Sequence, residues 1–340
     1  MWLFCSYAAD AQLFLWDLVC NVVASERKEA FRTLCATSIQ NPQNIPRNAA
    51  TMLGKVASLG QAQGMPVVLG LQEWPDDADS VKYKEYTKVL RENHFQFKVG
   101  SDSGRGVDSV AIAFSESLCG GADGFAWLTG GTGEGKLDPS KVMAKCVEEE
   151  KQADPAHQLT QKDEDALIKT MARKTIACRL GNKLSVIVLH AKEAKSESAI
   201  NVQASYIAAL VVSVPAPAVV CADMNTKSSK FAQLLMAAVN AKCAAQRCGV
   251  SVVPDATISE TITTSKHRSL LHGQTYDRKK SLKTVALLKD FIIATDGEVA
   301  PATIYPHLGP GGDNGVARTL PTSEWPSDHA LIWTTFTPKF

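Results

Sequence analysis

Five short aliphatic runs in this chain run into, or start from, a carboxylate, amide or imidazole. Val67-Val-Leu-Gly-Leu71 leads into Gln72-Glu73, Leu184-Ser-Val-Ile-Val-Leu189 into His190, and Ala218-Val-Val-Cys-Ala222 into Asp223-Met224-Asn225. Asp290 opens Phe-Ile-Ile-Ala294, and Ser327-Asp328-His329 opens the last run, to Phe336. Runs of this length and β-branched content read as buried strands, so each polar group lies at a strand end. A further strand is expected over Leu13–Val23, which places Asn21 late in it, and another over Ser109–Phe114.

The connections between these runs are of two kinds. Gly181-Asn182 separates Lys174–Arg179 from Leu184–Leu189 and signals a hairpin. Pro46–Gln61 and Ala199–Val212 read as helices, the first opened by its proline. Hairpins together with helix-linked strands predict mixed sheets. In such sheets antiparallel strands bring N-terminal and C-terminal polar ends to one edge. That edge would gather carboxylates, amides and imidazoles in a small volume, and a cluster so acidic needs a cation. Oxygen-rich ligation suits Mg²⁺ or Mn²⁺ better than Zn²⁺.

Composition excludes several other classes. The 340 residues are 45% hydrophobic and 21% charged, with a net charge of +1, as in a globular protein with a sizeable core. Disordered, collagenous and coiled-coil chains are ruled out, and the near-zero net charge argues against coating of nucleic acid by bulk charge but not against a local basic groove. The 9 cysteines are odd in number and form no C-x-x-C pair, which predicts reduced thiols and an intracellular, reducing compartment. The apolar N-terminus lacks a basic region and is not read as a signal peptide. The longest apolar stretch, Tyr206–Ala222, carries Pro215 and Pro217, and no membrane span is expected.

Six pieces of the sequence, in order, resemble the motifs of the endonuclease/exonuclease/phosphatase superfamily, whose members include deoxyribonuclease I and the nocturnin-like deadenylases. They are Leu-Val-Cys-Asn21-Val, Leu-Gln-Glu73-Trp, Val-Leu-His190-Ala-Lys, Cys-Ala-Asp223-Met-Asn225, Lys-Asp290-Phe-Ile-Ile and Trp-Pro-Ser-Asp328-His329. The pattern departs from the family's usual Gly-Asp-Phe-Asn at Ala222-Asp223-Met224-Asn225, which keeps both polar residues. Asp17 is an alternative to Asn21 on the same face of the expected strand. Leu320-Pro321 before the final motif resembles the nocturnin and deadenylase branch.

The resemblance implies a four-layer α/β sandwich, with two mixed sheets packed face to face and helices outside. Because Asn21 and His329 must meet in one site, the chain is expected to be a single domain over residues 1–340. The polar tract 130–169 is expected to be an insertion. The implied activity is a metal-dependent phosphodiesterase or nuclease, in which water attacks phosphorus directly. Glu73, Asn21 and Asp328 would hold the metal. Asp223 would take a proton from the water, and Asn225 would position that water or the phosphate. His190 and His329 would bond phosphate oxygens, and Asp290 would set the tautomer of His329.

Nucleic acid is the expected substrate. The basic segment Lys266–Lys280 offers Lys266 and Arg268 as phosphate contacts, with a solvated charge run as the plain alternative. A phosphatase acting on a small molecule or lipid headgroup is the second reading, although the inositol-phosphatase motif is missing. A binding protein on a retired catalytic fold is the third, disfavoured because Glu73, Asp223 and His329 are all present. The Gly130–Lys136 match to a phosphate-binding loop is set aside. Leu137 stands where Ser or Thr is needed, and Pro139 interrupts the following helix.

Overall fold

The structure, a computed structural model, describes residues 2–5, 50–51, 53–56, 58, 62, 64–75, 77–100, 109–119, 124–129, 136–153, 159–181, 183–254, 264–267, 284–305, 329 and 331–339. Strands are numbered in chain order through both sheets. The first sheet comprises β1 (Trp2–Cys5), β2 (Val67–Trp74), β3 (Phe95–Val99), β4 (Ser109–Ser115), β13 (Gly297–Val299), β14 (Thr303–Tyr305) and β15 (Leu331–Pro338). The second comprises β5 (Phe125–Trp127), β6 (Thr175–Leu180), β7 (Leu184–His190), β8 (Ala218–Asp223), β9 (Val250–Val253) and β12 (Asp290–Thr295). A separate ribbon pairs β10 (Thr264–His267) with β11 (Thr284–Leu287). Both sheets are mixed: β1 runs parallel to β2 and β7 parallel to β8, while β2–β4, β6–β7 and β8–β12 are antiparallel.

Strand alternation builds the layers. On β7, Val186 and Val188 face the layer between the sheets, and Ile187 and Leu189 face the outer one. On β8, Val219 and Cys221 point inward and Val220 and Ala222 outward. On β2, Val68 points inward while Val67, Leu69 and Leu71 point outward. Both faces of each sheet are therefore apolar, which is why the runs read as continuous rather than alternating. The outer faces are covered by helices. The first sheet is covered by the helical residues 50–51, 53–56 and 58 and by α1 (Val81–Glu92). The second is covered by α2 (Pro139–Ala153), α3 (Gln161–Arg173), α4 (Glu197–Ser213) and α5 (Ser229–Ala245). Helix, sheet, sheet, helix is the four-layer α/β sandwich.

Close approach of the sheets depends on Gly70. A Cβ there would stand 2.3 Å from Cys221 Cβ on the facing sheet, so no larger residue fits without movement. Two residues on, Gln72 Nε2 donates to the carbonyl of Cys221 at 3.3 Å and ties the sheets together beside the site.

Several expectations meet the structure directly. The expected hairpin is β6–β7, with Gly181 at φ +56 in its turn. The tract 130–169 contains α2 and most of α3. Met143, Cys146, Val147, Leu167 and Met171 from these helices are buried in the outer core with α4 and β7. Beside β2 lie Trp2–Cys5 and β4, and the strand expected over Leu13–Val23 lies outside the described residues. Strand pairing is a long-range choice, and the short apolar N-terminus carries no local mark of it. Cys119, Cys146, Cys178, Cys221, Cys243 and Cys248 are free thiols. Among the described residues no helix is long and apolar enough to cross a membrane.

Candidate active site

Three of the expected residues lie level across the second sheet. His190 and Asp223 are register partners on the parallel pair β7–β8, and Asp290 is the register partner of Asp223 on antiparallel β12. All three follow the alternation of Val188, Cys221 and Ile292, the residues that face the other sheet. They therefore gather at one end of the space between the sheets. The loops leaving β7 and β8 are short. Ser196 caps α4 through the N–H of Ala199 (3.2 Å), and Ser228 caps α5 through the N–H of Phe231 (3.2 Å).

Glu73 arrives from the first sheet by a break in alternation. The pairing of β2 with β4 shifts between Leu71 and Trp74, and Glu73 has φ +53. Without the shift Glu73 would share the outer face with Leu71. With it, Trp74 takes that face and packs on Tyr86, and the Glu73 carboxylate comes within 4.0 Å of His190 Nε2.

Asp223 lies between two imidazoles. Its Oδ2 is 3.7 Å from His190 Nε2 and 3.9 Å from His329 Nε2. Its Oδ1 accepts the backbone N–H of Asn225 at 2.8 Å. Burial pushes the Asp223 carboxyl upward. The charges of His329, His190 and Lys289, with the Asn225 N–H, outweigh that and hold it below the ordinary carboxylate value.

The two imidazoles have different partners. His329 Nδ1 lies 2.9 and 3.1 Å from the Asp290 oxygens; a carboxylate only accepts, so Nδ1 carries the proton. His190 Nδ1 lies 3.3 Å from Lys174 Nζ. An ammonium only donates, so this Nδ1 accepts and the proton sits on Nε2, facing Asp223 and Glu73. Burial, opposed by Asp223 and reinforced by Lys174, pushes the His190 pKa down to about 4.

Asn225 stands at φ +46 and joins three loops. Its Nδ2 donates to the carbonyl of Ala191 (2.9 Å), and its Oδ1 accepts from Lys289 Nζ (2.9 Å). The motif implies that this amide positions water or phosphate, and in the structure it has protein partners at both ends. Each end keeps capacity for one more hydrogen bond.

Glu73, His190, Asp223, Asn225, Asp290 and His329 are thus brought together. Asn21, Asp17, Asp328 and Arg268 lie outside the described residues, as do 130–135; Lys266 is on β10, opposite Val285. Lys174 and Lys289 were not singled out from sequence. Counting back from the Gly181-Asn182 turn puts Lys174 level with His190, so its signal was present in the hairpin register. Lys289 directly precedes Asp290 but reaches Asn225 only through the loop geometry.

Among the described residues, Asp223, Asp290 and His329 present ligand-type atoms within 4.8 Å of one another. Both oxygens of Asp290 approach His329 Nδ1, while Asp223 Oδ2 and the half-buried Glu73 carboxylate both approach His190 Nε2. Carboxylates and an imidazole within this reach are donors able to hold a metal ion.

No family model matches the sequence, and no curated protein matches it. Solved structures do. The chain is similar to D. rerio TDP2 complexed with single strand DNA product, with TM-score 0.45 and 15% identity, covering 84% of this chain and 91% of that one. It is similar to ANGEL2, a 2',3'-cyclic phosphatase, with TM-score 0.46 and 14% identity over 98% of this chain and 94% of that one. It is also similar to the human Nocturnin catalytic domain with bound sulfate anion, with TM-score 0.41 and 12% identity over 99% and 94%.

Proposed function

We propose that this protein is a metal-dependent phosphoester hydrolase that cleaves phosphodiesters of nucleic acid by direct attack of water on phosphorus. The observation that carries this reading is the position of Asp223, with Oδ2 held 3.7 and 3.9 Å from two imidazole Nε2 atoms. A water fits between groups at that spacing, within hydrogen-bond reach of each.

Asp223, kept ionised by its surroundings, accepts the proton of the attacking water. His190 presents Nε2–H toward the same space and donates to a phosphate oxygen as charge accumulates on it. His329 has its ring held by Asp290 through Nδ1, which directs Nε2 at Asp223 and the same space. Asn225 fixes the Asp223 carboxylate through its backbone N–H. Glu73, with Asn21 and Asp328 as the motifs imply, would hold the divalent cation. When bound, such a cation supplies charge to a phosphoryl oxygen and to the leaving oxygen.

The test is a panel of single-stranded poly(A), mixed RNA, abasic DNA and inositol phosphates, each with Mg²⁺ or with EDTA. Cleavage of a polynucleotide that EDTA stops and Asp223→Ala abolishes, with the fold intact by circular dichroism, is the expected result. Turnover of inositol phosphates alone would move the reading to a small-molecule phosphatase. If the wild-type protein and Asp223→Ala leave the whole panel equally untouched, the enzyme reading fails.

A further inference from the structure

We infer that Lys289 is a positioning residue of this site and acts on Asp223 through Asn225. The inference rests on the phosphoester-hydrolase reading for its kinetic consequence, but its geometry stands apart from that reading. Lys289 is 7% exposed. A lysine taken out of water to that degree needs a partner for its ammonium. One partner is inside the site: Nζ donates to Asn225 Oδ1 at 2.9 Å. The main chain of Lys289 grips the same loop one residue earlier, where its carbonyl accepts the N–H of Met224 at 2.8 Å. One residue, the last before β12, therefore clamps two consecutive residues of the loop that leaves β8.

What the clamp holds is a conformation that a non-glycine residue seldom adopts. Asn225 stands at φ +46, and in that turn its N–H points back to Asp223 Oδ1 at 2.8 Å. With Oδ1 so bound, Oδ2 is the oxygen left facing His190 and His329. The Asn225 amide is oriented from both ends, since Lys289 donates to Oδ1 while Nδ2 donates to Ala191 in the loop after His190. An ammonium can only donate, so it admits only one orientation of the amide. Lys289 thus selects the amide orientation, the amide holds the turn, and the turn sets the rotation of the Asp223 carboxylate. A lysine that merely filled space beside β12 would contribute packing without directing this sequence of bonds.

The experiment compares the wild-type chain with Lys289→Met, Asn225→Ala and the double variant. Lys289→Met should lower kcat by about tenfold or more and leave KM within about twofold, because orientation rather than binding is lost. The double variant should be no slower than Asn225→Ala alone, since both changes break one connected path. Lys289→Gln, which keeps a donor, should recover part of the rate, and it replaces the Met variant if that fails to fold. Independently of activity, the Asn225 side-chain amide should give a resolved NMR resonance, slow to exchange, in the wild type. In Lys289→Met it should exchange fast. A kcat within about twofold of wild type, multiplicative losses in the double variant, or an unchanged Asn225 resonance would each overturn the inference. If the wild-type protein cleaves nothing in the substrate panel, the hydrolase reading fails while the amide resonance still decides the role of Lys289.

Discussion

His329 Nδ1 meets the Asp290 carboxylate at 2.9 and 3.1 Å, although 38 residues separate the two positions (329 − 290 − 1). The Asp290 side chain is wholly buried there and that of His329 nearly so, and the contact leaves His329 Nε2 directed at Asp223. Asp290→Asn keeps the shape but removes the obligate acceptor, so the ring can settle with the proton on the wrong nitrogen. Turnover should fall by about 10²- to 10⁴-fold with the fold retained. Steady-state kinetics beside a circular dichroism spectrum checks this, and a loss under about twofold would count against the pairing.

Lys174 should control the tautomer of His190. In the wild type, long-range ¹H–¹⁵N spectra should show His190 protonated at Nε2 and not at Nδ1, because the Lys174 ammonium faces Nδ1 at 3.3 Å. Lys174→Met should introduce the Nδ1–H form and reduce turnover by roughly ten- to a hundredfold, the usual scale for losing a group that orients a functional histidine. Identical spectra for the two proteins would show that Lys174 does not set the ring.

Acid should weaken the metal-free protein in a defined window. The His190 pKa is pushed from about 6.5 down to about 4, chiefly by burial. Above the unfolded value both states are neutral, and this group adds no pH dependence. As pH falls from 6.5 toward 4, the unfolded chain binds a proton that the folded chain refuses, so stability drops. The loss is on the order of 3 kcal/mol. Asp223, held below its ordinary value, adds a loss of the same sign at lower pH. Urea unfolding in EDTA at pH 7, 5.5 and 4 measures it, and His190→Gln should flatten the upper part of the curve.

Gly70→Ala should separate the sheets locally. The new methyl would stand 2.3 Å from Cys221 Cβ and 3.3 Å from Val188 Cγ2, both packed in the inner core. A cost of about 1–3 kcal/mol in urea unfolding is expected from overpacking. Because Gln72 bonds Cys221 across the same gap, turnover should fall as well. An unchanged midpoint would mean that the two sheets are not held at this spacing.

Much of the fold was legible in sequence because it is local. The runs that became β2, β4, β6, β7, β8 and β12 announced themselves by β-branched content and by the turns around them. So did the polar groups at their ends, and six of these, from Glu73 to His329, stand together in the structure. The Gly181-Asn182 turn also determined the register that sets Lys174 beside His190.

Other relationships exist only once the chain has folded. That Trp2–Cys5 lies beside β2 follows from long-range pairing, which no short-range pattern encodes. The bulge that turns Glu73 away from the outer core results from how β2 meets β4. Lys289 looks like any lysine before a strand until the loop after β8 brings Asn225 to its ammonium. Local propensity specifies which residues stand at strand ends; the pairing and spacing of the sheets decide which of them touch, because a hydrogen bond depends on ångström-scale placement that sequence spacing alone does not carry.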